Sequence, residues 1–199
     1  MKTTFNGDAA LHSEWVASME AHAAADRLVQ KLTGEDGRGC FIYCAAGAYD
    51  TAQLQAKTGI APRMAKLLEG LFEGLEQTAA RQFAMDVTHA IPCGVVLDDA
   101  IPPFLHWLMS ELASKTEEGS DVRKAVEQVR DLYANGWPES QAAKAAAWTA
   151  SWTAAWEAAR AAEAASWTAA WTAARTLGIT YTTQAEALLG FIRNLKPNQ

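Results

Sequence analysis

The chain has 199 residues, half of them hydrophobic, and a formal net charge of −6. This length predicts one domain, or one domain with an appendage. The mildly acidic charge and the lack of a basic run argue against nucleic acid as a partner. The sequence shows no apolar leader and no stretch long enough to span a membrane, and its cysteines number three, so we expect a cytoplasmic protein whose thiols are free or metal-bound.

The first third of the chain is predicted to be helical. A helix is expected from Ala9 to Leu32, with Asp8 as its N-cap and Gly34 just beyond its end. A glycine-rich loop follows. The short apolar segment 40–46 is compatible with strand or helix by its pattern, and its alanines favour helix.

Two helices with clear start signals come next. Asp50 and Gln53 form a capping box for a short helix that ends near Gly59. Pro62 suits the first turn of the following helix. Apolar residues recur on that helix every three or four positions, which predicts a buried face composed of Met64, Leu67, Leu68, Leu71 and Phe72.

The acidic residues of the middle region are expected to have structural roles. Glu69, Glu73 and Glu76 are predicted to form a solvated helix face. Asp98 or Asp99 is predicted to be the N-cap of a later helix with prolines in its first turn.

Two further helices complete the part before residue 137. One is predicted from Thr78 to about His89, where an Ile-Pro-Cys-Gly segment breaks it. The other is capped by Ser120 or Asp121 and ends at Gly136. Period-two runs of β-branched residues are missing, so strands have almost no support.

A long alanine-rich helix is predicted from Pro138 to Gly178. Its five tryptophans are spaced by 4, 4, 11 and 4 residues and fall on one side of a helix: Trp148, Trp152, Trp156, Trp167 and Trp171. Unbroken, this helix is roughly 60 Å long, whereas a compact 199-residue domain is about 42 Å across. We expect the continuous helix, with a break near residues 157–165 as the alternative.

The tryptophan stripe is expected to pack in the chain's own core. An interface between copies of the chain and a ligand- or partner-binding surface are the alternatives. The carboxylate of Glu163 projects near the middle of the stripe, where it must be paired with Arg160 or with Arg175 of a neighbour, or be exposed. The candidate binding residues are therefore Trp148, Trp152, Trp156, Arg160, Glu163, Trp167 and Trp171.

The sequence as a whole predicts an all-α fold of seven or eight helices. A helical globular region, 1–137, packs on the long helix, 138–178, and a short terminal helix in 179–199 packs back on them. Thr183 and Glu186 form the capping box of that terminal helix.

Cysteine and histidine spacing raises two chemical alternatives. Cys40 and Cys44 lie four residues apart, as do His89 and Cys93, and three cysteines with one histidine are a structural zinc set. Buried free thiols are the simpler interpretation, because C-x3-C is not the usual zinc spacing. Alternatively, Cys40 is a nucleophile with a pKa lowered by the start of a helix, although no nucleophile motif surrounds it.

The order of several motifs resembles a known family. These are Gly39-Cys40-x-x-x-Cys44, Gly59-Ile60-x-Pro62, Ala90-Ile91-Pro92-x-Gly94 and Phe104-Leu105-x-Trp107-Leu108. They resemble a family of uncharacterised proteins of bacteriophages, prophages and their bacterial hosts, over roughly residues 35–195. The resemblance implies a phage-linked protein of the host cytoplasm in which the position of Cys93 is commonly aliphatic. It implies no activity and no site residues.

These observations favour a non-enzymatic binding protein, expected to be a homo-oligomer without a cofactor. A phage accessory factor that inhibits host defence, by masking a host protein or by sequestering a small signalling nucleotide, is the concrete form of this hypothesis. The alternatives are a metal-stabilised protein or cysteine-dependent enzyme that uses Cys40, Cys44 and His89, and a structural component of the virion.

Overall fold

The structure is a computed structural model, and it describes residues 2–134 and 179–197. In these ranges the chain forms eight α-helices and no strand, which confirms the predicted all-α fold. The helices are α1 (Ala9–Ala24), α2 (Phe41–Ala46), α3 (Thr51–Thr58), α4 (Pro62–Gly74), α5 (Gln77–Ala90), α6 (Ile101–Lys115), α7 (Asp121–Leu132) and α8 (Tyr181–Arg193). No described helix combines the length and apolar character that a membrane span requires.

The predicted tryptophan helix lies outside the described residues, and so do its candidate binding residues: Trp148, Trp152, Trp156, Arg160, Glu163, Trp167 and Trp171. The chain divides into two compact units, one formed by Met1–Ile101 with Ala185–Gln199 and the other by Pro102–Gln184. The predicted three-part division, with boundaries after residues 137 and 178, stays a prediction.

Helix α1 begins where predicted and ends earlier. The carboxylate of Asp8 accepts the backbone N–H groups of Ala10 and Leu11, as an N-cap does. The predicted end at Leu32 is wrong, because Asp26 takes a left-handed conformation with φ 53°. The N–H groups of residues 26 and 27 then bond back to the carbonyls of residues 23 and 22, which is a Schellman ending built without glycine.

Helices α1 to α5 pack together in the first unit. The segment around residues 40–46 is helical as predicted, and α4 contacts α2, α3 and α5. The carboxylate of Asp50 caps α3, which ends at the left-handed Gly59. All five residues of the predicted α4 face are buried: Met64, Leu67, Leu68, Leu71 and Phe72.

The amino-terminal segment is tied to the loop between α5 and α6. Thr4 exchanges backbone hydrogen bonds with Gly94 and Val95, and its hydroxyl donates to the carbonyl of Pro92 and accepts from the amide of Val95. Phe5, which follows, is buried with its ring centroid 5.4 Å from that of Trp15. These contacts fix the path of residues 2–7 across the first unit.

Of the helices after residue 100, α7 begins at its predicted cap and α8 does not. Ser120 caps α7 as expected by accepting the N–H of Arg123, although α7 ends at Leu132 and not at Gly136. The predicted capping box at Thr183 is wrong. Helix α8 begins earlier, and the hydroxyl of Thr180 accepts the N–H of Thr183.

Candidate functional site

The first group of interest is a cluster of the buried residues Cys40 and Glu69 with the half-buried Glu73, here named the acid–thiol cluster. Their sulfur and carboxylate oxygen atoms lie within 4.8 Å of one another. Cys40 is 1% exposed and Glu69 is 7% exposed. The predicted solvated face is therefore wrong for Glu69, because the side of α4 that carries it faces the start of α2.

Glu69 anchors α2. One of its carboxylate oxygens, Oε2, accepts the N–H of Ile42 at 3.2 Å, in the first turn of α2. Cys40, the N-cap residue of α2, makes no capping bond of its own. A carboxylate from another helix thus satisfies an amide that a local cap would normally satisfy. Glu73 bonds in the same manner to the N–H of Lys31, at 2.8 and 3.0 Å.

Both buried thiols are held in the protonated form. Burial, assisted by a hydrogen bond to Glu69, raises the pKa of Cys40 to about 12. Burial raises the pKa of Cys44 to about 11, and its Sγ bonds to the carbonyl of Gly39 at 3.4 Å. The alternative of a nucleophilic Cys40 required a lowered pKa, because the thiolate is the nucleophile. Burial beside a carboxylate instead raises the pKa of this thiol.

The four predicted zinc ligands are not brought together in the described part of the chain. Cys40 converges with two glutamates and not with His89, whose Nε2 lies 3.0 Å from Oε1 of Glu20. Cys44 is buried on backbone carbonyls, and Cys93 is partly exposed. The carboxylates that accompany Cys40 already accept backbone N–H groups, so the contacts of this cluster are structural.

We expect the three thiols to differ sharply in reactivity. In the folded protein at pH 8, iodoacetamide should label Cys93 first, whereas Cys40 and Cys44 should react only after denaturation, because burial raises their pKa. Peptide mass spectrometry of timed samples measures this order. Native labelling of Cys40 as fast as that of Cys93 would contradict the protonated, enclosed thiol.

The second group lines a cavity of about 130 Å³ in the first unit, here named the Asp98 cavity. Its walls combine two cationic side chains, a carboxylate, an amide and small or apolar residues: Lys2, Gln55, Gly59, Ala61, Arg63, Val96, Leu97 and Asp98. Such a mixture of polar groups and apolar walls is typical of sites for small molecules.

Asp98 is the most unusual residue of this cavity. Its side chain is 3% exposed, and its Oδ2 accepts the Nε–H of Arg63. Its Oδ1 is buried and has no hydrogen-bond partner. Burying a carboxylate oxygen without a donor is costly, so a ligand group that donates a hydrogen bond to this oxygen would be favoured.

The predicted capping role of Asp98 and Asp99 is not observed. Both residues lie inside a 3₁₀ turn, Leu97–Ala100, which directly precedes α6 and has no side-chain cap. Asp98 turns inward to Arg63, in the first turn of α4, whereas Asp99 is exposed. The sequence pattern did not indicate this pairing, because the two residues are 35 positions apart.

Gly59 shapes the wall of the cavity. Its φ of +76° ends α3, and the carbonyl of Thr3 packs directly on its Cα side. A Cβ at this position would overlap the Thr3 oxygen and stand 2.8 Å from the Thr3 carbonyl carbon. Because Gly59 has no side chain, Thr3 can pack against it, and the neighbouring Lys2 then lies at the cavity.

Comparison with known proteins found no matching family model, no matching curated protein and no matching solved structure. The resemblance to phage-associated proteins stays a prediction.

Proposed function

We propose that this chain is a non-enzymatic binding protein and that the Asp98 cavity is its ligand site. The observation that carries the proposal is the buried Oδ1 of Asp98, which lacks a donor although Asp98 lines a charged cavity. A ligand that supplies this donor recovers the free energy lost by burying the oxygen.

The acid–thiol cluster supports binding over catalysis. A cysteine-dependent mechanism needs a thiolate, and the two buried thiols have pKa values of about 12 and 11. The cluster is better suited to holding α2 against α4, which supports the wall elements of the cavity.

The size of the cavity limits its ligand. Sites for drug-sized molecules usually enclose about 300–1,000 Å³, and this cavity holds about 130 Å³. A whole nucleotide does not fit such a volume. The cavity therefore does not bear on three other predictions: masking of a host protein, sequestration of a signalling nucleotide and homo-oligomer formation. The tryptophan stripe is the candidate surface for these.

A thermal-melting screen tests the proposal. The probes are acetate, inorganic phosphate, methylammonium and glycine, and the proteins are the parent chain, Asp98→Asn and the control Asp99→Asn. We expect at least one probe to raise the Tm of the parent and of Asp99→Asn but not that of Asp98→Asn, since ligands that bind only the folded state stabilise it. Unchanged melting with all four probes, or equal shifts in Asp98→Asn, would contradict the proposed site.

A further inference from the structure

We infer that the ligand of the Asp98 cavity is a small zwitterion, a molecule that carries one ammonium and one carboxylate group. This inference rests on the proposed function and specifies the chemistry of the same site. In the bound state the ammonium donates to Asp98, and the carboxylate is held by Arg63 and Lys2.

The charges of the cavity favour a ligand with both signs. Arg63 and Lys2 are cationic and Asp98 is anionic, so the lining carries one excess positive charge. A simple anion would neutralise that charge but would leave Oδ1 of Asp98 without a donor. A simple cation would supply the donor but would stand beside two like charges.

The ion pair of Arg63 and Asp98 provides the place of insertion. The Asp98 side chain is 3% exposed, whereas that of Arg63 is 52% exposed, so a ligand can reach the pair from the side of the arginine. When a zwitterion enters between them, its ammonium takes the place of the Arg63 guanidinium at Asp98, and its carboxylate takes the place of Asp98 at Arg63. No charge is left buried and alone, which is the condition that a buried ionic site must meet.

The walls limit the molecule that joins the two charged groups. A volume of about 130 Å³ corresponds to roughly four water molecules at their liquid volume. Gly59 and Ala61 contribute little bulk, while Val96 and Leu97 are apolar. A short hydrocarbon link between ammonium and carboxylate therefore fits best, as in an α-amino acid with a small side chain or none.

Isothermal titration calorimetry with glycine, acetate and methylammonium tests this inference on the full chain. We expect glycine to bind the parent at least ~10-fold more tightly than either single-charge probe, because each of these probes forfeits one charge-assisted hydrogen bond. Asp98→Asn should lose glycine binding, and the exposed neighbour variant Asp99→Asn should keep it.

A second variant keeps the test decisive if Asp98→Asn does not fold. Lys2→Gln removes an exposed charge from the amino-terminal segment and should weaken glycine binding while leaving the melting temperature of the free protein unchanged. Acetate binding as tight as that of glycine would overturn the zwitterion and leave the binding function standing. Binding of none of the three probes would overturn the zwitterion, and it would overturn the binding function as well if inorganic phosphate also left the melting of the parent unchanged. Glycine binding unaffected by Asp98→Asn and Lys2→Gln would place the ligand elsewhere.

Discussion

Gly59→Ala is expected to lower the free energy of unfolding by about 2–5 kcal/mol, of which about 1–2 kcal/mol is the cost of a left-handed alanine and the rest is steric. The new Cβ would overlap the carbonyl oxygen of Thr3, and backbone atoms cannot rotate aside as a flexible side chain can. Hydrogen bonds from Thr4 to residues 92–95 hold the amino-terminal segment in place, so Thr3 cannot easily move away from the new Cβ. Urea denaturation of the parent and the variant measures the difference.

Gly47→Ala is the matched control for this prediction. Gly47 ends α2 with φ +90°, so alanine there carries a comparable left-handed strain, and no atom lies within 4 Å of the new Cβ. Its cost should remain near 1–2 kcal/mol. Equal destabilisation by the two substitutions would mean that the close approach of Thr3 to Gly59 does not exist.

Glu69→Ala is expected to destabilise the protein by about 2–4 kcal/mol, because it opens a cavity in the core and leaves the N–H of Ile42 and the thiol of Cys40 without their acceptor. Glu76→Ala is the control on the same segment, since Glu76 is exposed, and its effect should stay within about 0.5 kcal/mol. Denaturation midpoints at pH 7 compare the three proteins. If Glu69→Ala lowered the stability no more than Glu76→Ala does, the Glu69 carboxylate would not anchor α2.

The buried Glu69 also sets a pH dependence with a definite sign. Burial raises its pKa in the folded state above the ordinary 4.5, so the folded protein binds this proton more tightly than the unfolded chain does. Its stabilising contribution is complete below pH 4.5 and is lost as the pH rises through the raised folded pKa. Glu69→Gln keeps an acceptor for Ile42 but cannot ionise.

The stability of Glu69→Gln relative to the parent should therefore increase as the pH rises from 4.5, and should level off above the folded pKa of Glu69. Denaturation curves at a series of pH values give this difference directly. The Cys40 thiol does not contribute over this range, because its pKa is about 12. A difference that is constant with pH, or that falls, would contradict the raised pKa.

Signals that lie within one or two helical turns were enough to predict most of the helices. The side chains of Asp8, Asp50 and Ser120 cap helices through amides two or three residues away, and periodic leucines identified the buried face of α4. The end of α1 was missed because Asp26, not a glycine, takes the left-handed position of its Schellman ending.

The candidate sites depend on long-range partners that no local pattern contains. Glu69 has the sequence surroundings of a solvated carboxylate, but it contacts Ile42, 27 positions earlier. Asp98 has the surroundings of an N-cap, but it pairs with Arg63, 35 positions earlier. In both cases the packing of two helices or turns decides the role of the carboxylate, and that packing is a property of the whole fold.

A glycine titration followed by amide NMR of isotope-labelled protein tests the central claim, that the Asp98 cavity is a binding site, most directly. We predict saturable shifts concentrated on the residues that line the cavity, such as Gln55, Gly59 and Val96, with little change around the acid–thiol cluster. The same titration of Asp98→Asn should leave those signals unmoved. Spectra of the parent without saturable shifts, or with shifts centred away from the cavity, would contradict the account.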